Sequence, residues 1–109
     1  MSVPFAEYNA ETERLIAFVL ARLDEDDVLA GAMRTPRLIR FVTLVGPLRE
    51  NVADYRDAVQ RYTETTGVER RFWQRAARFH AFGLRLGAGQ YSDRAGFDPA
   101  WRRAPRPPS

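Results

Sequence analysis

A chain of 109 residues holds one domain with one modest core and no second domain. It has no cysteine and one histidine, which excludes disulfides, thiolate zinc sites and thiol nucleophiles, and no carboxylate spacing suggests a metal site. The net charge is +3, yet all 17 basic residues are arginine, so every cation is planar, permanently charged and able to grip a carboxylate or phosphate with two hydrogen bonds.

The charge is unevenly placed. Residues 1–33 carry seven acids against two arginines, whereas 34–109 carry fifteen arginines against seven acids. Such halves attract each other within a fold or between copies, or leave a basic face for an anionic partner. The longest strongly apolar run, LIAFVLARL, is too short to cross a bilayer, and the chain opens on no basic-then-apolar leader. The expectation is a cytoplasmic protein, with membrane binding disfavoured.

The first eight residues read as a lead-in anchored by Phe5 or Tyr8. A first helix is expected from an Asn9 N-cap, with Glu11 and Glu13 in the favourable first turn and Ile16, Val19, Leu20 and Leu23 at helical spacing. The four acids Asp24–Asp27 oppose the dipole of a helix C-terminus, so the helix either ends there or runs on to Gly31. Thr35-Pro36 signals a second start, and RLIRFVTLV reads as a short buried helix, with a strand as the alternative.

Gly46-Pro47 opens a third helix. Its Leu48, Val52, Tyr55, Val59 and Tyr62 form a narrow seam, facing either the chain's own core or a second copy. Asp57 and Arg61 pair at i,i+4, and Gly67 suits a left-handed helix end. A fourth helix is VERRFWQRAARFHAFGLRLG, residues 68–87. At 100° per residue, Val68, Phe72, Ala76, Phe79, Gly83 and Leu86 share an arc of about 80°, the spacing of a core stripe. Arg70, Arg71, Arg75, Arg78 and Arg85 take the other side.

The remainder is loop-like, with Asp98-Pro99 capping one turn that carries Trp101, and residues 104–109 read as a disordered proline-rich tail. Tyr91, Phe97 and Trp101 either pin this arm to the helical body or present Trp101-Arg102-Arg103 as a recognition hook. The expected fold is all-α: a single domain over 1–103, a small bundle of about four helices with an irregular C-terminal arm.

RLIAFVLARLDEDD, GPLRENVADYRDAVQRY and LRLGAGQYSDRAGFDPAWRR, in that order, resemble a family of short actinobacterial proteins that share a domain of unknown function. The resemblance covers most of the chain and implies a one-domain architecture. The chain departs from the family pattern at LIRFVTLVG, which has no histidine, at Gly46, where an aspartate would cap the helix, and in lacking cysteine. No metal or redox role therefore carries over.

For function, the arginines of the fourth helix have two main readings, beside a third in which a basic amphipathic helix lies on anionic lipid. One is a solvated face paired with the acidic first helix, the other an anion-binding face with Phe82 set among the arginines as a stacking or inserting ring. His80 as a general base would need an orienting carboxylate and a nucleophile, and no serine or threonine sits in a nucleophile context. Neither a phosphate loop nor a dinucleotide fingerprint is present, and LDEDD lacks the alternation of a calcium loop. The expectation is a non-catalytic binding or adaptor protein with no cofactor, acting on a protein partner through Arg70, Arg71, Arg75, Arg78, Phe82, Arg85, Trp101 and Arg102. The alternative is a basic nucleic-acid binder, and a homodimer is compatible with either.

Overall fold

The computed structural model describes residues 3–33, 47–103 and 107–108. It is all-α, with three long helices among the described residues: α1 (Phe5–Met33), α2 (Pro47–Glu64) and α3 (Gly67–Ala88). The expected count was about four. The segment read as the second helix lies outside the described residues.

α1 starts one turn before the expected cap. The Pro4 carbonyl accepts from the amides of Glu7 and Tyr8, at 3.1 and 3.0 Å, so the lead-in is already helical. The Phe5 ring stacks on Tyr62 of α2 with centroids 3.9 Å apart, and that tertiary contact outweighs the local preference of Asn9 for a cap. Asn9 instead uses its side-chain oxygen to accept from the buried Tyr55 hydroxyl at 2.8 Å. Burial raises the Tyr55 phenol above its ordinary value, so it remains a donor at neutral pH.

The seam of α2 turns towards the chain's own core. Leu48, Val52, Tyr55 and Ala58 are buried, with Val59 packed beside them. These residues share one core cluster with Tyr8, Leu15, Ile16, Val19 and Leu23 of α1, and Tyr62 at the end of the seam is half-buried. α2 and α3 form an antiparallel hairpin across Thr65-Thr66. Gly67 turns it with φ +62°, a conformation costly for any residue with a Cβ. Leu48 meets Gly87, and Asn51 meets Gly83. α1 runs antiparallel to α2, tied by Arg56 to Glu13 at 3.0 Å and by Arg49 to Asp24 and Asp27 at 3.0 and 2.6 Å.

α3 turns the opposite face inward from the one its large residues suggest. The buried residues are Ala77, Ala81, Leu84, Gly87 and Ala88. Val68, Phe72, Phe79 and Leu86, expected in the core, are 81%, 60%, 73% and 65% exposed, and Ala76 and Gly83 are half-buried at the edge. Arg75 explains the choice: expected on the other side with the remaining arginines, it in fact falls within about 20° of Val68 and Leu86 on a 100° wheel, at the margin of the large residues, so burying them would bury its guanidinium. The small face carries no charge beyond its first turn and lets α3 approach α2 closely. At Gly87 an added Cβ would lie 2.8 Å from Leu48 Cδ1 and 3.0 Å from Leu48 Cγ.

The C-terminal arm is pinned across α1. A short 3-10 turn, Gly89–Tyr91, and a second, Pro99–Arg102, bring Tyr91, Phe97 and Trp101 around Phe18, with centroids 5.3–6.5 Å from its ring. Asp98 caps the second turn, accepting from Ala100 N at 2.9 Å and from Arg14 Nη2. Arg14 first, then the Ala100 amide, hold its carboxyl below the usual aspartate range. Because the folded value is depressed, the stabilisation is present at neutral pH and fades as pH falls through the ordinary aspartate value of about 4 and below. Acidification, or Asp98→Ala at neutral pH, is therefore expected to loosen the arm. In a Trp73→Phe background the fluorescence of Trp101 should shift to the red in both cases, and an unshifted spectrum would count against the pinning. Of the 104–109 tail the structure describes Pro107 and Pro108. Both lie back against the body: Val3 N donates to Pro107 O at 3.1 Å and Gln74 Nε2 to Pro108 O at 3.2 Å.

Candidate interaction face on the third helix

The acidic run of α1 has its own partners, and they are not on α3. Asp24 and Asp27 share Arg49, Glu25 pairs with Arg22 and Arg94, and the buried Asp26 accepts from the Tyr91 hydroxyl at 2.7 Å with Arg94 at 3.8 Å. These contacts neutralise the acids where they stand, so α1 continues through them to Met33 despite the opposing dipole. The pairing of this run with the arginines of α3 is therefore corrected. Arg71, Arg75 and Arg78 make no ion pair with any described residue.

What α3 presents outward follows from its wheel. Val68, Phe72, Phe79 and Leu86 form an apolar ridge over five turns. Phe82, 54% exposed, stands beside it, and Arg71, Arg75 and Arg78 line that same side. Single exposed hydrophobes need no explanation, but five large ones on one side of one helix make a continuous exposed apolar face.

The eight residues expected to bind do not form one patch. Phe82, Arg85, Trp101 and Arg102 meet around a cleft of about 270 Å³ between α3 and the arm, which Leu86, Gly89 and Arg103 complete. Arg85 is half-buried there and donates to the Arg103 carbonyl at 3.0 Å, while its desolvation lowers its pKa. Trp101 is buried to 3% exposure, so its ring is an anchor of the arm and not a free hook. Arg102 stands over Phe97 at 5.7 Å. At the other end of α3, Arg70 covers the Tyr62 ring at 4.3 Å and, with Arg71, borders a second shallow cleft. Arg75 and Arg78 lie between the two ends, free of both.

No family model, curated protein or solved structure matches the chain.

His80 is half-buried with its ring edge-on to Phe79, and its buried Nδ1 has no hydrogen-bond partner among the described residues. Among the described residues no three histidines or acids gather as metal ligands, and no helix is long and apolar enough to cross a membrane. The ridge itself was missed in the sequence because its large residues were assigned to the core. The signal that could have found it was the charge-free run Ala77, Ala81, Leu84, Ala88, spaced 4, 3 and 4, on the opposite side of the helix.

Proposed function

We propose that the protein is a non-catalytic helical binding module that works by protein–protein contact on the outer face of α3. The observation that carries this is the exposed ridge of Val68, Phe72, Phe79 and Leu86 with Phe82 alongside. Covering apolar surface gains about 25 cal/mol per Å², and only a partner with its own apolar surface collects that gain. The unpaired arginines beside the ridge then select a partner with acids at its rim. Immobilised chain should capture a defined protein from its host, and Phe79→Asp should abolish that capture while helical content is unchanged. Capture that persists in Phe79→Asp would remove this face from the function.

A second reading, nucleic-acid binding, is favoured by one observation: Arg71, Arg75 and Arg78 have no acidic partner among the described residues. Affinity for non-specific duplex would then fall steeply with salt, and replacing the three by glutamine would flatten the slope by up to about three phosphate contacts. Absence of binding to DNA or RNA at low salt removes it. The ridge favours the protein reading, since a paired duplex offers phosphates and no free base faces to Phe72 or Phe79.

A further inference from the structure

Resting on the protein-contact reading, we infer that the occupant of the α3 ridge is a second copy of this chain, docked about a twofold axis that runs along α3. The argument is the order of groups across the face. One edge is supplied by α2, whose position is set by Asn51 against Gly83 and by Arg61 over the Trp73 ring at 4.9 Å. Glu50, Asp54, Asp57 and Arg61 follow one another at spacings of 4, 3 and 4, so they lie in a row along that edge. Asp57 is taken by Arg61 at 3.0 Å, whereas Glu50 and Asp54 make no ion pair with any described residue. Next comes the apolar ridge. The far edge carries Arg71 and Arg78, with Arg75 and Phe82 between them and the ridge.

The face is thus acidic on one side, apolar in the middle and basic on the other. A twofold axis lying in the contact and parallel to α3 exchanges left and right without exchanging the ends. It sets each ridge on the other and each acidic row opposite the other copy's arginine row. An axis at right angles to α3 would place acids over acids and arginines over arginines. The levels also agree. α2 runs antiparallel to α3, with Asn51 beside Gly83, so Asp54, one turn further on, stands near the level of Arg78. Asp54 of one copy therefore faces Arg78 of the other. Residues 68 to 86 extend about 27 Å, enough for two parallel helices to interlock over several turns. A partner bearing acids alone would answer the arginine edge and be repelled by the acidic one, whereas this face is answered on both sides by itself.

Light scattering over a range of concentrations is the test, with the whole chain. The parent should reach twice the monomer mass, and Phe79→Asp should remain monomeric with unchanged helical circular dichroism. Asp54→Arg and Arg78→Asp should each weaken the dimer about tenfold or more, and the double exchange should restore it, because the pair is then reversed and not lost. The chain has no cysteine, so Val68→Cys and Leu86→Cys report orientation without background. Each should form a disulfide with its own kind, since a parallel contact brings like residues within bridging distance. A monomer at every concentration overturns the inference, as does a Phe79→Asp chain that still dimerises. So does a cross-link that forms only when the two cysteine variants are mixed. A monomeric parent whose capture of another protein is lost in Phe79→Asp overturns the dimer alone and leaves the proposed function standing. A monomeric parent whose capture is indifferent to Phe79→Asp overturns both.

Discussion

Ala81→Leu should destabilise the fold by about 1–3 kcal/mol or more, while Phe79→Ser should leave it within ~0.5 kcal/mol of the parent. The ranking inverts what residue size suggests. Ala81 is fully buried on the face of α3 that meets the other helices, where three further carbon atoms would have to be forced into packed surroundings. Gly87→Leu should behave in the same direction, because its new Cβ would meet the buried Leu48 side chain before the rest of the substituent is placed. Phe79 is 73% exposed, so its ring contributes little within one copy. Urea unfolding at concentrations dilute enough for single copies measures both. If Phe79→Ser instead cost the ~3–5 kcal/mol of a deleted core aromatic, the orientation of α3 would be wrong and the ridge with it.

Tyr91→Phe is expected to cost about 1.5–3 kcal/mol, the worth of a hydrogen bond to a charged group. The Tyr91 hydroxyl donates to the Asp26 carboxylate at 2.7 Å, and both residues are buried, at 1% and 3% exposure. Removing the donor leaves Asp26 with Arg94 at 3.8 Å and no other described partner. The double variant Asp26→Leu with Tyr91→Phe should recover part of the loss, since an apolar pair leaves nothing unsatisfied. Burial first, and then Asp26, raise the Tyr91 phenol above its ordinary value. A raised folded value means that this stabilisation is complete below the unfolded tyrosine value of about 10 and is lost as pH climbs beyond it. Alkaline destabilisation should therefore be shallower in Tyr91→Phe than in the parent. A single variant as stable as the parent would show that the pair holds nothing together.

Strong local signals were legible in the chain itself. The seam of α2 alternates 4, 3, 4, 3 and is hemmed by charge on its other faces, so only one face could be buried, and it is. Gly67 acts through its own backbone and Asp98 through a side chain that reaches an amide two residues on, so their roles as turn and cap are set locally. The all-α class followed from the same periodicities. The start of α1 was different. Asn9 is a good cap in isolation, and only the stacking of Phe5 on Tyr62 made helix cheaper than cap one turn earlier.

α3 shows the limit most clearly. Its sequence carries two apolar stripes, one of large residues and one of small. Helical period alone ranks the larger one as core, because transfer free energy grows with area. Which stripe faces in is decided by how closely two helices can approach and by where the charges fall. Gly87 admits Leu48 of α2 and Ala77 and Ala81 lie buried on the same side of the helix, while Arg75 cannot follow Phe72 and Phe79 into an apolar interior. The acidic run of α1 is a second case. Composition showed an acidic front and a basic back and suggested that they meet. The bundle assigned those acids to Arg49, Arg94 and Tyr91, because α2 and the arm lie beside α1 at that level. Local chemistry determined where α2 and α3 begin, where the chain turns and where it carries charge. Tertiary packing decided which face of α3 is left over for a partner, since that depends on fit between elements far apart in the chain.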